Sequence, residues 1–131
     1  MNKILVTGGL GYIGSHVIVE LQKMKFEVVV VDNLSNSTLD VLNGIKKITG
    51  IIPKFEKIDL KERSAVCDFF NRHSDTDGVI HFAAYKAVGE SVNNPLSYYE
   101  NNVNSLVYLI EEMNKLNSQK LIFSSSCSVY G

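Results

Sequence analysis

The residues of this sequence that could most clearly do chemistry are three glycines near its start. Gly8, Gly11 and Gly14 are spaced three apart, directly after the apolar run Ile4–Val6 and before an amphipathic stretch. A strand that turns sharply into a helix leaves unpaired N–H groups at the helix N-terminus, where they can bind a phosphate. Gly8 would make the tight turn, Gly11 would let a phosphate approach, and Gly14 would let the helix pack closely on the strand. The pattern predicts a dinucleotide-binding turn, although a bare glycine triplet also occurs in flexible turns.

A carboxylate follows the glycines at the interval typical of such sites. Asp32 comes directly after the second apolar run, Phe26–Val31, and 18 positions after Gly14. A carboxylate at this place accepts hydrogen bonds from the hydroxyls of an adenosine ribose and repels a 2′-phosphate, which favours NAD over NADP. The alternative interpretation is that Asp32 and Asn33 only open a solvated turn.

Other polar residues have plainer explanations. Three histidines have no carboxylate at a triad-like spacing, so we expect them at helix surfaces or strand ends rather than as bases: His16, His73 and His81. Ser124–Ser126 could simply satisfy backbone groups at the end of a strand. Cys67 and Cys127 lie 60 positions apart without a Cys-x-x-Cys or a nearby histidine, which predicts free thiols and no metal site. The sequence has no Gly-x-Ser-x-Gly that would indicate a hydrolase.

The elements that must position these residues alternate between short apolar runs and longer helical patterns, which is typical of α/β proteins. After the first strand, the predicted strands are Phe26–Asp32, Pro53–Ile58, Gly78–Phe82 and Lys120–Ser124. Four helices are predicted. The first begins after Gly14, the second spans Leu39–Ile48 and ends at Gly50, and the other two span Glu62–His73 and about Ser97–Leu116. Right-handed crossovers then predict a Rossmann-like, doubly wound parallel sheet in three layers, with strand order 3-2-1-4-5.

This topology brings the informative polar residues to one edge of the sheet, because they follow the strands. They are Gly8–Gly14, Asp32-Asn33, Asp59-Leu60, His81–Ser91 and Ser124–Ser126. Each of the four predicted helices is expected to turn one apolar stripe inward. In chain order, the stripes are Val17, Ile18, Leu21 and Met24; Leu39, Leu42, Ile45 and Ile48; Val66, Phe69 and Phe70; and Leu106, Leu109, Ile110 and Met113. The ligand crevice should lie at the carboxyl ends of strands one and four.

Composition narrows the classes of protein to consider. The sequence has 131 residues, 45% of them hydrophobic and 21% charged, with a net charge of −1. It has no basic cluster that would bind nucleic acid and no apolar run near the ~20 residues that a membrane span needs. The first apolar run is broken at Thr7, so it does not resemble a signal peptide, and we expect a cytoplasmic protein of one domain.

Together these motifs resemble the extended short-chain dehydrogenase/reductases, and among them the UDP-glucose 4-epimerases. The similarity covers nearly the whole sequence, in the segments Val6–His16, Val31–Leu34, His81–Ser91, Tyr98–Val103 and Phe123–Gly131. The glycine fingerprint is shared by the superfamily, whereas Lys86–Ser91 and the closing Ser124–Gly131 are typical of epimerases. The departures from the family pattern are Ala84-Tyr85, where Gly-Leu is frequent, and Cys127, where alanine is usual.

The resemblance implies roles for individual residues. It implies that the pyrophosphate of NAD contacts Gly11, Tyr12 and Ile13, that the adenosine ribose contacts Asp32 and Asn33, and that the adenine contacts Asp59 and Leu60. The nicotinamide side would be lined by Phe82, Ala83 and Lys86, with Asn101 and Ser124 also beside the cofactor. Ser126 would hydrogen bond the hydroxyl of the sugar carbon that is oxidised.

The resemblance also implies an activity, the interconversion of UDP-glucose and UDP-galactose. In these enzymes NAD⁺ takes a hydride from C4 of the hexose, the keto sugar turns over, and the hydride returns to its other face. The base is a tyrosine whose pKa, ~10 when unperturbed, is lowered by a lysine four residues later and by the nicotinamide charge. No tyrosine of this sequence has a lysine at that spacing. We therefore expect residues 1–131 to be the NAD-binding domain of a longer, homodimeric epimerase, with the Tyr-x-x-x-Lys helix and the substrate domain outside it.

Two alternatives stay open. The first is a non-catalytic NAD-binding module. The second is a sugar-nucleotide dehydratase or decarboxylase of the same fold, although those enzymes tend to carry Thr-Asp-Glu-Val-Tyr where this sequence has Ser126–Tyr130.

Overall fold

A computed structural model describes residues 2–34, 39–82, 95–116 and 120–123. The strands are β1 (Lys3–Thr7), β2 (Glu27–Asp32), β3 (Lys54–Lys57), β4 (Thr76–His81) and β5 (Lys120–Phe123). The helices are α1 (Tyr12–Lys23), α2 (Asp40–Thr49), α3 (Arg63–Arg72) and α4 (Pro95–Lys115). The predicted site residues Ala83, Lys86, Ser124 and Ser126, together with Cys127, lie outside the described residues.

The strands form one parallel sheet in the order β3-β2-β1-β4-β5, which confirms the predicted topology. Both faces of such a sheet are covered, and its central strands are therefore apolar without alternation. In β2 the run Val28–Val31 is at most 3% exposed at every position. The register places Thr7 beside Val31 on one side and beside His81 on the other, so the carboxyl ends of β2, β1 and β4 meet at Thr7.

Two apolar cores lie on the two faces of the sheet, because successive side chains of a strand point in opposite directions. One core joins β1, β2 and β4 to α3 and α4, and contains Leu5, Val29, Val31, Val79, Phe69, Phe70 and Leu109. The other joins β1 and β2 to α1 and α2, and contains Val6, Val28, Val30, Ile18 and Ile45. The molecule thus has the predicted three layers.

The predicted helix faces are partly confirmed. Val66, Phe69 and Phe70 of α3 are buried as expected, as are Leu109 and Met113 of α4. Several residues of the predicted stripes are exposed instead: Met24 (66%), Leu39 (49%), Ile48 (65%) and Ile110 (38%). Met24 and Leu39 fall just outside α1 and α2, and Ile48 lies in the last turn of α2, so these three lie beyond the helical turns that pack on the sheet.

The end of α2 agrees with the prediction, because the helix ends at Gly50. This residue has a φ of +80°, a left-handed conformation that glycine adopts without strain.

Cys67 of α3 is a free thiol. Over the described ranges, no helix combines the length and the apolar character that crossing a membrane requires.

Candidate functional site

The turn between β1 and α1 is fixed by backbone hydrogen bonds around Gly8. Its φ of +66° lies in the left-handed region, where a side chain would add strain. The Gly8 N–H donates to the carbonyl of Val31 at 2.8 Å, and the Gly8 carbonyl accepts the N–H of Gly11 at 3.1 Å. The Ser15 N–H then donates to the Gly11 carbonyl at 2.9 Å, which begins α1. The chain therefore reverses from strand to helix within a few residues.

Two further glycines are required by close packing inside the protein. A Cβ on Gly14 would lie 2.7 Å from the Gly8 carbonyl oxygen and 2.9 Å from the Gly9 Cα, both backbone atoms of the turn. A Cβ on Gly9 would lie 2.8 Å from a methyl group of Val30 and 2.9 Å from one of Ile18. Gly9 is not among the predicted site residues, although it lies directly beside the turn-forming Gly8, where helix and strand come close.

Gly11 has no comparable internal reason to be glycine. Its backbone is extended (φ −74°, ψ 175°), a conformation that any residue can adopt. Apart from its chain neighbours, the one atom of the described protein within 4 Å of a Cβ built here is the Gly8 carbonyl oxygen, at 3.4 Å. Gly11 is also the N-cap of α1, and no side chain of the described part caps that helix end by a hydrogen bond. The N-terminus of α1, with its partial positive charge, therefore lies beside Gly11 with no capping side chain among the described residues.

Asp32 holds its carboxylate against this turn. It is the last residue of β2 and is 8% exposed. Its Oδ2 accepts the N–H of Leu10 at 3.3 Å, and its Oδ1 accepts the N–H of Leu34 at 2.8 Å. Leu34 has a positive φ of 63°, so the chain bends sharply directly after the carboxylate. An aspartate that only opened a solvated turn would be exposed, whereas this one is buried beside the glycines.

A second polar contact joins the ends of β1 and β4. Thr7 Oγ1 and His81 Nδ1 are 2.6 Å apart, and the two residues are 0% and 2% exposed. The Phe82 N–H donates to the Thr7 carbonyl at 2.9 Å. Burial lowers the pKa of His81 to about 4, so its imidazole is neutral at physiological pH. The sequence analysis placed His81 at a strand end but did not predict this pair, which joins residues 74 positions apart.

The end of β3 is arranged differently. Asp59 Oδ1 accepts the N–H of Lys61 at 3.0 Å, and its Oδ2 lies 3.5 Å from Lys61 Nζ. Leu60 is 8% exposed, with its side chain in the core beneath α3 and α4, which leaves its backbone as the part available to a ligand.

The remaining predicted residues are described only in part. Ile13 lies in the first turn of α1 and is 43% exposed, and Asn33 is half-buried after Asp32. Tyr12 and Asn101 belong to α1 and α4, but their side chains lie outside the described part.

The described site is thus a set of polar groups at the carboxyl ends of β1, β2 and β4, where the strand order reverses direction. In doubly wound sheets this is the place where ligands bind. The helix N-terminus offers N–H groups to a phosphate, and the Asp32 carboxylate offers acceptors to hydroxyl groups. Within the residues that the structure describes, no group of three or more histidines, cysteines or acids could hold a metal ion.

Comparison with known proteins adds independent findings. Residues 4–131 match the model of the NAD dependent epimerase/dehydratase family. The chain is 52% identical over 128 residues to the UDP-glucose 4-epimerase of Bacillus subtilis (strain 168), which covers 98% of this chain and 38% of that protein. The chain therefore spans about two fifths of the length of this relative.

Solved structures agree with the sequence comparison. UDP-glucose 4-epimerase from Bifidobacterium longum, in complex with NAD⁺ and UDP, superposes with a TM-score of 0.89 at 42% identity, over 99% of this chain and 38% of the other. The enzyme from Stenotrophomonas maltophila, with bound NAD and formylated UDP-arabinopyranose, gives a TM-score of 0.88 at 44% identity, over 100% of this chain and 39% of the other.

Proposed function

This chain belongs to the NAD dependent epimerase/dehydratase family, and from that premise we propose that it binds NAD at the glycine turn and Asp32. The pyrophosphate would contact the helix N-terminus at Gly11, Tyr12 and Ile13. Asp32 and Asn33 would hydrogen bond the adenosine ribose, because the carboxylate accepts from hydroxyl groups and would repel a 2′-phosphate.

The observation that carries this proposal is that, apart from its chain neighbours, only one described atom, the Gly8 carbonyl oxygen, comes within 4 Å of a Cβ built on Gly11. Gly8 is explained by its positive φ, and Gly14 by a contact with backbone atoms at 2.7 Å. Gly11 has neither explanation, yet it lies at the N-terminus of α1, where no side chain of the described part makes a capping hydrogen bond. A ligand whose phosphates come within contact distance of the backbone would explain why a side chain is absent there.

The reaction we propose for the polypeptide that carries this chain is the interconversion of UDP-glucose and UDP-galactose. The support is the similarity to enzymes named UDP-glucose 4-epimerase. NAD supplies a reversible hydride acceptor for the carbon that is inverted. The described residues of this chain would bind and orient that cofactor, while Ser126 would bind the substrate hydroxyl. The tyrosine base would come from a Tyr-x-x-x-Lys segment beyond these residues, because no tyrosine here has a lysine at that spacing.

Residues 1–131 would on this view be the NAD-binding domain. The remaining cofactor contacts would come from Asp59, Leu60, Phe82, Ala83, Lys86, Asn101 and Ser124.

We also propose that the parent protein is a homodimer. An apolar stripe runs along α4 with three exposed members at helical spacing, Val103 (56%), Val107 (41%) and Ile110 (38%), and such a face is typical of a helix–helix interface. The free thiol of Cys67 fits a reducing compartment, for which we propose the cytoplasm.

The variant Gly11→Ala tests the cofactor site. The added methyl group has room inside the protein, so the unfolding temperature should stay close to that of the wild type, while NAD affinity should fall by about tenfold or more. Calorimetric titration of the native polypeptide with NAD measures the affinity. Gly44→Ala is the matched control, because a Cβ at that position of α2 meets nothing within 4 Å and lies away from the turn. Equal NAD affinity of Gly11→Ala and the wild type would contradict the proposal.

Turnover distinguishes the remaining alternatives. An epimerase converts UDP-galactose to UDP-glucose without net consumption of NAD⁺, because each cycle returns the hydride to the substrate. A dehydratase of the same family would release a 4-keto-6-deoxy sugar nucleotide instead. A coenzyme-binding module would bind NAD and convert neither substrate.

A further inference from the structure

We propose that Thr7 and His81 are a positioning pair, whose hydrogen bond fixes the distance between the glycine turn after β1 and Phe82, the residue directly after β4, and thereby sets the affinity for the cofactor. This inference rests on the proposed NAD site, which the glycine turn and Phe82 would border. Neither residue needs to touch the cofactor, because Thr7 acts through Gly8 and His81 acts through Phe82.

The geometry gives the pair two points of attachment. Thr7 Oγ1 is 2.6 Å from His81 Nδ1, and the Thr7 carbonyl accepts the Phe82 N–H at 2.9 Å. The next residue, Gly8, donates its N–H to Val31 at 2.8 Å. Side-chain and backbone bonds therefore tie together the ends of β2, β1 and β4 within two consecutive residues.

Thr7 and His81 are buried polar residues at positions where apolar residues would also fill the core. Their hydrogen bond therefore indicates a role in positioning Gly8 and Phe82. Val6 and Val79 of the same two strands are 0% and 2% exposed, and apolar side chains at the positions of Thr7 and His81 would pack as well. A hydrogen bond is directional, whereas apolar contacts tolerate small shifts. Separating two buried polar groups takes a hydrogen bond from each where water cannot readily replace it, which costs free energy. The pair therefore penalises any arrangement in which β1 and β4 slide apart at this end.

The neutral state of His81 is consistent with this role. The imidazole can exchange one hydrogen bond with the Thr7 hydroxyl in either tautomer, since the hydroxyl both donates and accepts. Burial holds the pKa of His81 well below neutrality, so the same contact persists throughout the physiological range.

The opposite end of β4 provides a matched control. Thr76 is a buried threonine, 5% exposed, and its hydroxyl donates to the carbonyl of His73 at 2.7 Å. Thr7→Val and Thr76→Val each remove a threonine hydroxyl group and its hydrogen bonding, but only Thr7 lies at the carboxyl ends of the strands. A purely structural role of Thr7 would make the two variants alike in NAD binding.

The experiment compares NAD dissociation constants and thermal unfolding for the wild type, Thr7→Val, Thr7→Ser and Thr76→Val, each in the native polypeptide. We expect Thr7→Val to weaken NAD binding about tenfold, which corresponds to the loss of one buried hydrogen bond. Thr7→Ser keeps the hydroxyl group and should restore the affinity to within about twofold. Thr76→Val should lower the unfolding temperature and leave the dissociation constant unchanged.

A further variant, His81→Phe, keeps a planar ring but has no group that can hydrogen bond Thr7, and it decides the question if Thr7→Val does not fold. If this variant and Thr76→Val lower the unfolding temperature by the same amount, this variant should weaken NAD binding more than Thr76→Val does. The proposal is overturned if affinity follows thermal stability alone across the series. If the wild type binds NAD, Gly11→Ala weakens that binding and Thr7→Val does not, the positioning role fails and the cofactor site stands. A wild type that does not bind NAD would overturn both.

Discussion

At the residue scale, the glycines between β1 and α1 show that one residue type can be required for different physical reasons. Gly8 is required by its positive φ, Gly9 by two methyl groups and Gly14 by backbone atoms, whereas a Cβ on Gly11 would approach only the Gly8 carbonyl oxygen among the described residues. Substitutions should therefore separate folding from binding. Changes at Gly8, Gly9 and Gly14 affect the turn itself, and a change at Gly11 affects what the turn binds.

Gly14→Ala should destabilise the protein by about 2 kcal/mol or more, because its methyl group would overlap the backbone of Gly8 and Gly9, which cannot move without opening the turn. Gly44→Ala should do the opposite and stabilise α2 by up to about 1 kcal/mol, since alanine has the higher helix propensity and the site is open. Urea unfolding of the two variants measures both effects. A Gly14→Ala protein as stable as the wild type would show that the turn relaxes freely.

His81 should make stability depend on pH. Its pKa is about 4 in the folded protein and 6.5 when unperturbed, so the unfolded chain binds more protons between those values. Stability from this group is present above pH 6.5 and is lost as pH falls toward 4, by roughly 3 kcal/mol in total. Unfolding free energies of the wild type and His81→Asn between pH 4 and 7.5 check this prediction. The other ionisable groups are common to both proteins, so the difference between the two slopes reports His81, and equal slopes would contradict the prediction.

At the element scale, the short edge strand β3 is attached to the end of α3 by a charged network. Glu56 Oε2 lies 2.5 Å from His73 Nε2, and its other oxygen accepts from Arg72. On its far side His73 Nδ1 is 3.3 Å from Nζ of Lys3, which also pairs with Asp75 at 2.8 Å. Edge strands have unpaired backbone groups, and this network attaches β3 to the end of α3 and, through His73, to Lys3 at the start of β1.

Glu56→Gln should weaken that attachment. Partial burial raises the pKa of Glu56, but hydrogen bonds from His73 and Arg72 outweigh it and hold the pKa below its usual value. The stabilisation is therefore present above the unfolded pKa of 4.5 and lost as pH falls through the lower folded value. We expect a loss of about 1 kcal/mol at pH 7, measured by chemical unfolding.

The matched control for Glu56→Gln is Glu20→Gln. Glu20 pairs with Lys23 at 3.6 Å, with both side chains more than half exposed, so its loss should cost less than about 0.5 kcal/mol. Equal effects of the two substitutions would mean that the network contributes no more than an ordinary surface pair.

At the scale of the whole molecule, α4 presents an apolar face that the described part of the chain does not cover. Val103 and Val107 lie one turn apart on it, 56% and 41% exposed. If this face joins two copies, Val107→Glu should dissociate the dimer, because a carboxylate buried in an apolar interface loses its hydration. Sedimentation of the native polypeptide measures the change in mass.

Ile48→Glu provides the control for this prediction, since Ile48 is 65% exposed on α2 and receives the same change of residue type. It should leave the mass unchanged. A monomeric wild type, or dissociation by both variants alike, would contradict an interface at α4.

Sequence by itself determined the strand order, the element types and the place of the glycine turn. These follow from local causes: the continuous apolar run of a doubly covered strand such as Val28–Val31, the helical period of α3 and the spacing of Gly8, Gly11 and Gly14. The NAD assignment also came from a local pattern, a carboxylate at the end of the second strand. The sequence also distinguished the polar residues that follow the strands from the apolar residues that form the core.

Only the tertiary structure decided which polar groups meet. The Thr7–His81 contact joins residues 74 positions apart, and the bond from the Leu10 N–H to Asp32 spans 22. Neither is encoded in a local period, because both depend on the register between strands and on how each chain leaves the sheet. The exposure of Ile48 likewise could not be predicted from the sequence. A helical stripe shows which side of the helix a residue lies on, but not how far along the helix the sheet covers that side.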